Sequence, residues 1–276
     1  MKGLILFALS VFAGARLDAG LFDTNLIVNG NAEAGPGSVS GNDIETVPGW
    51  TTANGFTVAS YGVASGIATN IPGPANRGTN YFAGGPNNGL SDAWQFIDLT
   101  PAAAEVDSGA ALMELTGYLG GWSSQEDSAV LKAEFFDGIN PTALAQAAIG
   151  PVTAEDRTNA IAMLFRGTTN AVPAGARLAK LTLTMTRFAG SYNDGIADDL
   201  SLVLTINRPE LTIQSGANPV VSWPVGAGAW QLQSATNLSG TPQWTDVGPP
   251  YQTNTGRIQF AEPAPAVSRF YRLQAP

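Results

Sequence analysis

The feature that most constrains this chain is a pattern of short apolar runs that alternate with polar residues and stop at Gly, Asn or Pro. The segment from Leu181 to Phe188 shows it best, because Leu181, Leu183 and Met185 face one way and the threonines between them face the other. A period of two is typical of a half-buried β-strand. With 32 Gly and 18 Pro as punctuation and no long amphipathic helical pattern, the sequence predicts an all-β protein built as a β-sandwich.

The predicted strands fall into two groups separated by a short linker, Asn207-Arg208-Pro209. Residues 20–207 are predicted to form the larger sandwich. Residues 208–276 contain shorter apolar runs and three of the six tryptophans, Trp223, Trp230 and Trp244. Large aromatic side chains are an effective core for so small a module. We therefore expect a small β-sandwich-like module after the larger domain, with these tryptophans inside it.

Residues 1–19 have the organisation of a secretory signal peptide. Lys2 precedes an apolar segment from Gly3 to Gly14, and Ala13-Gly14-Ala15 fits the small-residue cleavage rule, with Leu17-Asp18-Ala19 as a second, poorer site. The apolar segment is too short to span a bilayer, and no other segment is long and apolar enough. The sequence therefore predicts a secreted protein, extracellular or attached to a cell surface, without a membrane span.

Two residue types are missing from the sequence, and their absence narrows the chemistry. Without His or Cys the chain has no Ser-His-Asp or Cys-His nucleophile pair and no His or thiolate zinc site. Acid–base chemistry would fall to carboxylates, and metal binding to oxygen ligands, which favours Ca²⁺ or Mg²⁺. The net charge of −9 disfavours a nucleic-acid partner.

The stretch from Gly190 to Leu204 combines turn residues, three aspartates and an apolar strand. Asp194, Asp198 and Asp199 lie within six positions of one another. So much negative charge beside a half-buried strand is explained by a bound cation, by a sugar-binding rim or by a solvated turn in which the carboxylates cap backbone groups. The residues alone leave these three alternatives open.

Several segments resemble the galactose-binding-like jelly-roll superfamily, to which bacterial carbohydrate-binding modules belong. They include LIVNGNAE followed by PGW near the start and YNDGIADDLSLVL at the end, and the resemblance runs from Asn25 to Ile206. The last segment, with VVSWP, WQLQSATNL, QWTDV and FYRL, resembles a small C-terminal β-module of exported bacterial proteins of the planctomycete and verrucomicrobia type. The resemblance implies a jelly-roll β-sandwich that binds carbohydrate.

The resemblance also implies a structural Ca²⁺ between the first and last strands. Carried over to this sequence, its ligands are Glu33, Asp198 or Asp199, and backbone carbonyl oxygens near Asn31. Adjacent residues of a strand point to opposite faces, so at most one of the two aspartates is expected to face Glu33. Ala32 stands where many members of the superfamily have an aromatic residue.

Sugar rings stack on aromatic side chains and hydrogen-bond to Asp, Asn and Gln, so a sugar-binding loop needs aromatic and polar side chains together. The loop from Tyr118 to Asp127 contains both kinds of residue. The predicted ligand-binding residues are Tyr118, Trp122, Gln125 and Tyr192. Trp50 and Trp94 border predicted strands, and we expect them in the core.

These observations predict an exported, non-catalytic protein that binds glycan at the cell surface or in the extracellular matrix. Neighbouring carboxylates such as Glu126 and Asp127 do not make the facing pair that glycoside hydrolysis needs, and the chain has no GxxxxGK[ST] phosphate loop. The alternatives are a structural or surface-display protein without sugar binding and an accessory lectin for a separately encoded hydrolase. The sequence does not define the sugar or the oligomeric state.

Overall fold

The structure, a computed structural model, describes residues 20–63, 66–216, 218–225, 230–263 and 268–274. The predicted signal peptide and both of its cleavage sites lie outside these ranges. Within them, no helix has the length and apolar character needed to cross a membrane.

Strands dominate the described residues, with one short helix, α1 (Ala103–Asp107), preceded by a 3-10 turn at Thr100–Ala102. The strands of the first sandwich are β1 (Thr51–Ala53), β2 (Thr57–Ser60), β3 (Asn80–Pro86), β4 (Leu90–Asp98), β5 (Ala111–Gly121), β6 (Ser128–Phe136), β7 (Ala145–Ile149), β8 (Ala162–Ala171), β9 (Leu178–Thr186) and β10 (Tyr192–Ile206). Those of the C-terminal module are β11 (Thr212–Gln214), β12 (Val220–Pro224), β13 (Gln231–Ala235), β14 (Thr245–Asp246), β15 (Gln252–Asn254), β16 (Arg257–Ala261) and β17 (Phe270–Gln274).

Two five-stranded antiparallel sheets form the first sandwich. Sheet 1 has the order β1-β4-β9-β6-β7 and sheet 2 has the order β2-β3-β10-β5-β8. Sequential strands such as β3 and β4, or β5 and β6, lie in opposite sheets, so the chain crosses repeatedly between the two layers as in a jelly roll. The predicted all-β jelly-roll sandwich is confirmed.

The inward side chains of both sheets form one hydrophobic core. Phe56, directly before β2, and Phe82 from sheet 2 pack in it with Leu131 and Leu181 from sheet 1. Trp50 also packs there, with its ring centroid 5.7 Å from that of Phe82, so its predicted core position is confirmed. Burying an aliphatic or aromatic side chain of this size contributes about 1.5–3 kcal/mol, so the inward face of each strand is a major source of stability.

The expectation that Trp94 lies in the core is wrong. The inward positions of β4 are Ser91, Ala93, Gln95 and Ile97, and Trp94 alternates with them onto the outer face of sheet 1. Its indole lies beneath Lys180, whose Nζ is 5.9 Å from the ring centroid. Small Ala93 fills the core position that we expected the tryptophan to take.

The long strand β10 lies in the middle of sheet 2 and is interrupted twice. Its register shifts between Asn193 and Ile196 against β3, and between Asp198 and Ser201 against β5. Asp199, inside the second shift, has a φ of 46°. A β-bulge of this kind adds a residue to one strand and redirects its side chains. Both irregularities fall in the acidic stretch identified from the sequence.

The N-terminal segment of the described chain runs beside the end of β10. The amide of Asp23 donates to the carbonyl oxygen of Leu204 at 2.8 Å, and that of Leu26 donates to Leu202 at 2.8 Å. The amide of Leu200 in turn donates to the carbonyl oxygen of Gly30 at 2.8 Å. The two ends of the first sandwich are therefore adjacent, as the implied clamp between first and last strands requires.

The C-terminal module consists of two small sheets with the orders β11-β12-β16-β15 and β14-β13-β17. Trp223 is buried in its core with Leu232, and Trp230 packs against that core, as predicted. Trp244 does not, because it precedes the two-residue strand β14 and stacks instead against Arg272. The expected core position of Trp244 is therefore wrong.

Candidate functional site

A second hydrophobic cluster covers one end of the outer face of sheet 2. Four partly buried residues pack at its edge. Two of them, Tyr118 and Trp122, are predicted ligand-binding residues. The other two are Ile71 and Ile161. The buried members of this second cluster are Ala59, Tyr61, Ile67, Tyr81, Ala83, Met163 and Ile196.

Tyr118 and Trp122 reach this surface because they flank Gly120 at the end of β5. A Cβ on Gly120 would lie 1.9 Å from the carbonyl oxygen of Ala162, so only glycine lets β5 and β8 approach this closely. The ring of Tyr118 packs edge-on against Phe165 at 5.6 Å. Trp122 follows β5 directly and is half-buried.

Gln125 lies in a tight turn beside Trp122, and Arg157 holds that turn in place. The amide of Gln125 donates to the carbonyl oxygen of Trp122 at 3.0 Å. Arg157, only 2% exposed, donates from Nη1 to the carbonyl oxygens of Ser123 and Ala160 at 2.7 Å and from Nη2 to that of Gln125 at 2.8 Å. The side-chain Oε1 of Gln125 is buried and has no hydrogen-bond partner among the described residues.

Tyr192 and Asp194 lie on the adjacent part of β10. The carboxylate of Asp194 accepts no hydrogen bond within the described chain, and burial together with the charge of Asp127 raises its pKa to about 6. Burial, Tyr81 and Asp194 raise the pKa of Tyr192 above its usual value. Tyr81 belongs to the second cluster, so Tyr192 and Asp194 border the same surface as Tyr118 and Trp122.

Asp127 fixes the loop that leads into this part of β10. Its side chain is fully buried. Oδ1 accepts hydrogen bonds from the amides of Phe188 at 2.6 Å and Ala189 at 3.0 Å. Oδ2 accepts one from the amide of Asp194 at 3.0 Å. The sequence indicated only an acidic residue before a strand, so this anchoring role was missed. Gln125 lies close to the same loop, since its Nε2 would be 3.8 Å from a Cβ on Gly190.

The structure thus places the four predicted ligand-binding residues around one surface. We call Tyr118, Trp122, Gln125, Tyr192 and the additional Asp194 the loop site. Three of its members are aromatic, and the other two have polar atoms without partners among the described residues, the buried Oε1 of Gln125 and the carboxylate of Asp194. Such a set can stack on a ring and hydrogen-bond to hydroxyl groups.

The predicted metal ligands lie elsewhere, where the N-terminal segment meets β10. Glu33 Oε1 accepts from the amides of Thr79 at 2.9 Å and Asn80 at 2.7 Å, and Oε2 accepts from the hydroxyl of Thr79 at 2.7 Å. Its carboxylate is therefore already hydrogen-bonded at both oxygens. This arrangement joins the N-terminal segment to the start of β3.

The bulge turns Asp198 and Asp199 in different directions. Asp198 is fully buried, and accepts from the hydroxyl of Tyr61 at 2.8 Å and from the amide of Asp199 at 2.7 Å. Burial raises its pKa to about 7. Burial and the charge of Glu33 also raise the pKa of Asp199, which accepts no hydrogen bond among the described residues. Glu33 thus influences both aspartates, although they point differently.

Asp199 borders an open cavity of about 410 Å³. The other residues that line it are Asn25, Ile27, Asn29, Gly30, Asn31, Leu200 and Ser201. No group of three or more His, Cys, Asp or Glu side chains in the described ranges is placed to hold a metal ion. The donors fit a calcium ion only if neutral oxygens complete its shell, which Ca²⁺ accepts. Asp199 and Asn31 are the residues that would hold it.

A further aromatic surface lies on the outer face of sheet 1. Beside Trp94, the ring of Phe96 is 58% exposed, and the hydroxyl of Thr184 donates to Asp92 Oδ1 at 2.7 Å. Lys180 completes this group, which we call the sheet 1 face. Sequence reasoning missed it because Trp94 was expected in the core.

No family model matches the sequence, and no curated protein is significantly similar to it. Among solved structures, a family 16 carbohydrate-binding module is 17% identical with a TM-score of 0.41, covering 65% of this chain and 99% of its own. The tandem CBM22 domains of Paenibacillus barcinonensis Xyn10C are 12% identical with a TM-score of 0.38, and the match covers 94% of this chain and 92% of that structure. The enzymatically active domain of bacteriophage CBA120 tailspike protein 4 is 16% identical with a TM-score of 0.39, and this chain spans 21% of its length. The similarity to known structures is distant.

Proposed function

We propose that this protein is an exported, non-catalytic glycan-binding protein that acts at the cell surface or in the extracellular matrix. The observation that carries the proposal is that the half-buried indole of Trp122 borders the same surface as the carboxylate of Asp194, which accepts no hydrogen bond from the described residues. Export is supported by the signal-like sequence of residues 1–19.

Oε1 of Gln125 is buried, so a sugar hydroxyl reaches it only after the side chain turns outward. Because a polar atom buried without a partner already costs about 1–3 kcal/mol, that rotation removes an unfavourable arrangement. The carboxylate of Asp194 offers a second acceptor for hydroxyls, and Trp122 offers an apolar plate for the C–H face of a pyranose. The loop site therefore has the groups that a neutral sugar needs.

The scaffold beneath the loop site favours binding because it is already ordered. Arg157 holds the turn of Gln125 through three carbonyl oxygens, and Asp127 holds the loop before β10 through three amides. A site that is fixed in advance loses less conformational entropy when its ligand binds. Neither group needs to move for a sugar to reach Trp122.

The sheet 1 face is the competing surface for the same function. Trp94 and Phe96 lie two residues apart on β4, so both point outward from the same sheet. The loop site is preferred because it combines aromatic plates with unpartnered polar atoms, whereas Asp92 on the sheet 1 face is already bonded to Thr184. The two surfaces can be separated by mutation.

The test is a glycan-binding screen on residues 20–276, followed by affinity measurements on Trp122→Ala, Gln125→Ala and Trp94→Ala. We expect the first two to weaken binding at least tenfold, equivalent to about 1.4 kcal/mol, and Trp94→Ala to leave it unchanged. Melting temperatures and near-ultraviolet circular dichroism identify any variant that has lost its fold. Loss only with Trp94→Ala would move the site to the sheet 1 face, and no binding at all would favour a structural or surface-display role.

A further inference from the structure

A chain of polar side chains crosses the outer face of the small sheet β14-β13-β17. Gln233 is paired in register with Asp246 on one side and with Arg272 on the other. Its Nε2 donates to Asp246 Oδ1 at 2.8 Å, and its Oε1 accepts from Arg272 Nε at 2.8 Å. The middle glutamine thus fixes the position of both charged side chains.

Trp244 holds the guanidinium from a second direction. Cζ of Arg272 lies 4.5 Å from the centroid of the indole ring, a cation–π contact. The hydrogen bond from Nε to Gln233 and the contact with Trp244 together restrict the position of the guanidinium. Its Nη1 and Nη2 make no hydrogen bond and no ion pair within the described residues of the chain.

Two other arginines of the module each use a terminal nitrogen within the chain, which sets Arg272 apart. Arg257 donates to Ser222 from Nε at 2.9 Å and to Thr212 from Nη2 at 2.9 Å. Arg269 is paired with Glu262 at 3.2 Å. Arg272 by contrast is oriented by its neighbours while its terminal nitrogens are left for another group.

A guanidinium with two free terminal nitrogens is the preferred partner of a carboxylate, which it binds through two parallel hydrogen bonds. Hydroxyl-binding groups surround it. Asp246 uses only Oδ1 for Gln233, and the exposed carboxamide of Gln231 lies two residues before Gln233, on the same face of β13. A ligand that carries one carboxylate and several hydroxyls would satisfy all of them, and that is the chemistry of a sugar acid.

The charge distribution favours an anion at this module. From Arg208 onward the chain contains four arginines against Glu210, Asp246 and Glu262, a net charge of +1, whereas the whole chain carries −9. An anionic ligand therefore meets least repulsion here. The acidic first sandwich would not offer it a comparable surface.

We propose that this face of the C-terminal module binds a uronate residue of an acidic polysaccharide. The two terminal nitrogens of Arg272 hold the carboxylate, while Asp246 Oδ2 and Gln231 bind ring hydroxyls and Trp244 keeps the guanidinium in place. This site does not depend on the proposed function, because it lies in the other module and recognises charge.

The experiment is calorimetric titration of residues 20–276 with a galacturonate oligomer, with an uncharged galactose oligomer of equal length and with acetate. We expect Arg272→Gln to lose at least tenfold in affinity for the galacturonate oligomer. Arg272→Lys should also lose, because an ammonium group has no planar pair of donors. Arg208→Gln, which removes the same charge from an exposed position, is the matched control and should stay within twofold.

Equal affinity of Arg272→Gln and Arg208→Gln would overturn the proposal. So would equal binding of the two oligomers by Trp122→Ala, in which the loop site for neutral sugars is removed, or acetate binding as tightly as the galacturonate oligomer, since neither result involves recognition of a sugar acid. If Arg272→Gln loses its near-ultraviolet circular dichroism, Gln231→Ala provides the second variant, and we expect a loss of at least threefold. Trp122→Ala should keep galacturonate binding, which separates this site from the loop site.

Discussion

The hydroxyl of Tyr61 donates a 2.8 Å hydrogen bond to Oδ2 of Asp198, beneath the outer face of sheet 2. Tyr61 is 8% exposed and Asp198 is fully buried. A buried carboxylate with so few donors is more stable when protonated, because burial disfavours its charged form. Asp198 is therefore a source of pH-dependent stability.

We expect the melting temperature to fall as the pH rises from about 5 to about 8. Burial raises the pKa of Asp198 from 3.8 to about 7 and that of Asp194 to about 6. A raised pKa means that the folded state binds the proton more tightly, so the stabilisation is complete below about pH 4 and is lost as the pH passes the folded pKa. The carboxylates whose pKa is lowered, such as Asp137, change stability only below this window.

The variant Asp198→Asn removes the titration while keeping an acceptor for Tyr61. Thermal unfolding across the same pH range should give a flatter curve for this variant than for the natural sequence. A melting temperature of the natural protein that is constant or rises with pH would contradict the assignment.

Calcium should raise the melting temperature of the protein, more at pH 8 than at pH 5. Protonation of Asp199, whose pKa is raised, competes with the cation at low pH. Free calcium at 100 times its Kd adds about 2.7 kcal/mol to the free energy of unfolding. Asp199→Asn should abolish the effect. Asp23→Asn is the matched control, because Asp23 is also an aspartate with a positive φ, 59°, and it should leave the effect unchanged because Asp23 does not line the cavity. An unchanged melting temperature with either calcium or EDTA would exclude the site.

Replacing Arg157 by Ala should destabilise the protein by about 3 kcal/mol, because carbonyl oxygens in a buried turn lose a charged donor. The same variant should weaken glycan binding at the loop site, since the turn of Gln125 is no longer held. Arg166→Ala is the control, because Arg166 makes a half-exposed ion pair with Asp156 at 3.1 Å and one exposed hydrogen bond to the carbonyl oxygen of Phe165 at 3.2 Å, and its loss should cost under about 1 kcal/mol. Urea unfolding measures the free energy of unfolding of the two variants, and an equal loss of stability in both would contradict this role of Arg157.

Gly120→Ala should cost about 3 kcal/mol, because the new methyl group collides with the backbone of β8. Gly89→Ala provides the comparison, since no atom lies within 4 Å of its added Cβ. Chemical denaturation of the two variants gives the difference directly. If the two were equally stable, β5 and β8 would not be in the close contact described above.

Much of the fold follows from periodicity, but the orientation of individual strands does not. The threonine alternation around Leu181 identified β9, and the jelly-roll arrangement agrees with the resemblance. In β4, however, Ala93 and Ile97 compete with Trp94 and Phe96 for the inward face, and alternation does not say which set wins. Which set faces inward depends on the volume left between the two sheets, and that volume is a property of all the strands together.

The candidate site was only partly predictable for a similar reason. Aromatic and amide residues in a Gly-rich loop indicated Trp122 and Gln125, but the acidic stretch appeared in sequence as one cluster of three. In the structure, Asp194 belongs to the loop site, whereas Asp198 and Asp199 lie at the junction with the N-terminal segment. Two bulges in β10 cause this separation, and bulges depend on pairing with strands that are distant in sequence.

The attachment of residues 23–30 to the end of β10 has a mechanical consequence. Hydrogen bonds from Asp23, Leu26 and Leu200 join the two ends of the first sandwich over a few neighbouring residues. Tension applied between these ends would load those bonds before it reached the packed layers. The domain would therefore resist stretching through a short seam, while the loop site on the same strand kept its shape until that seam opened.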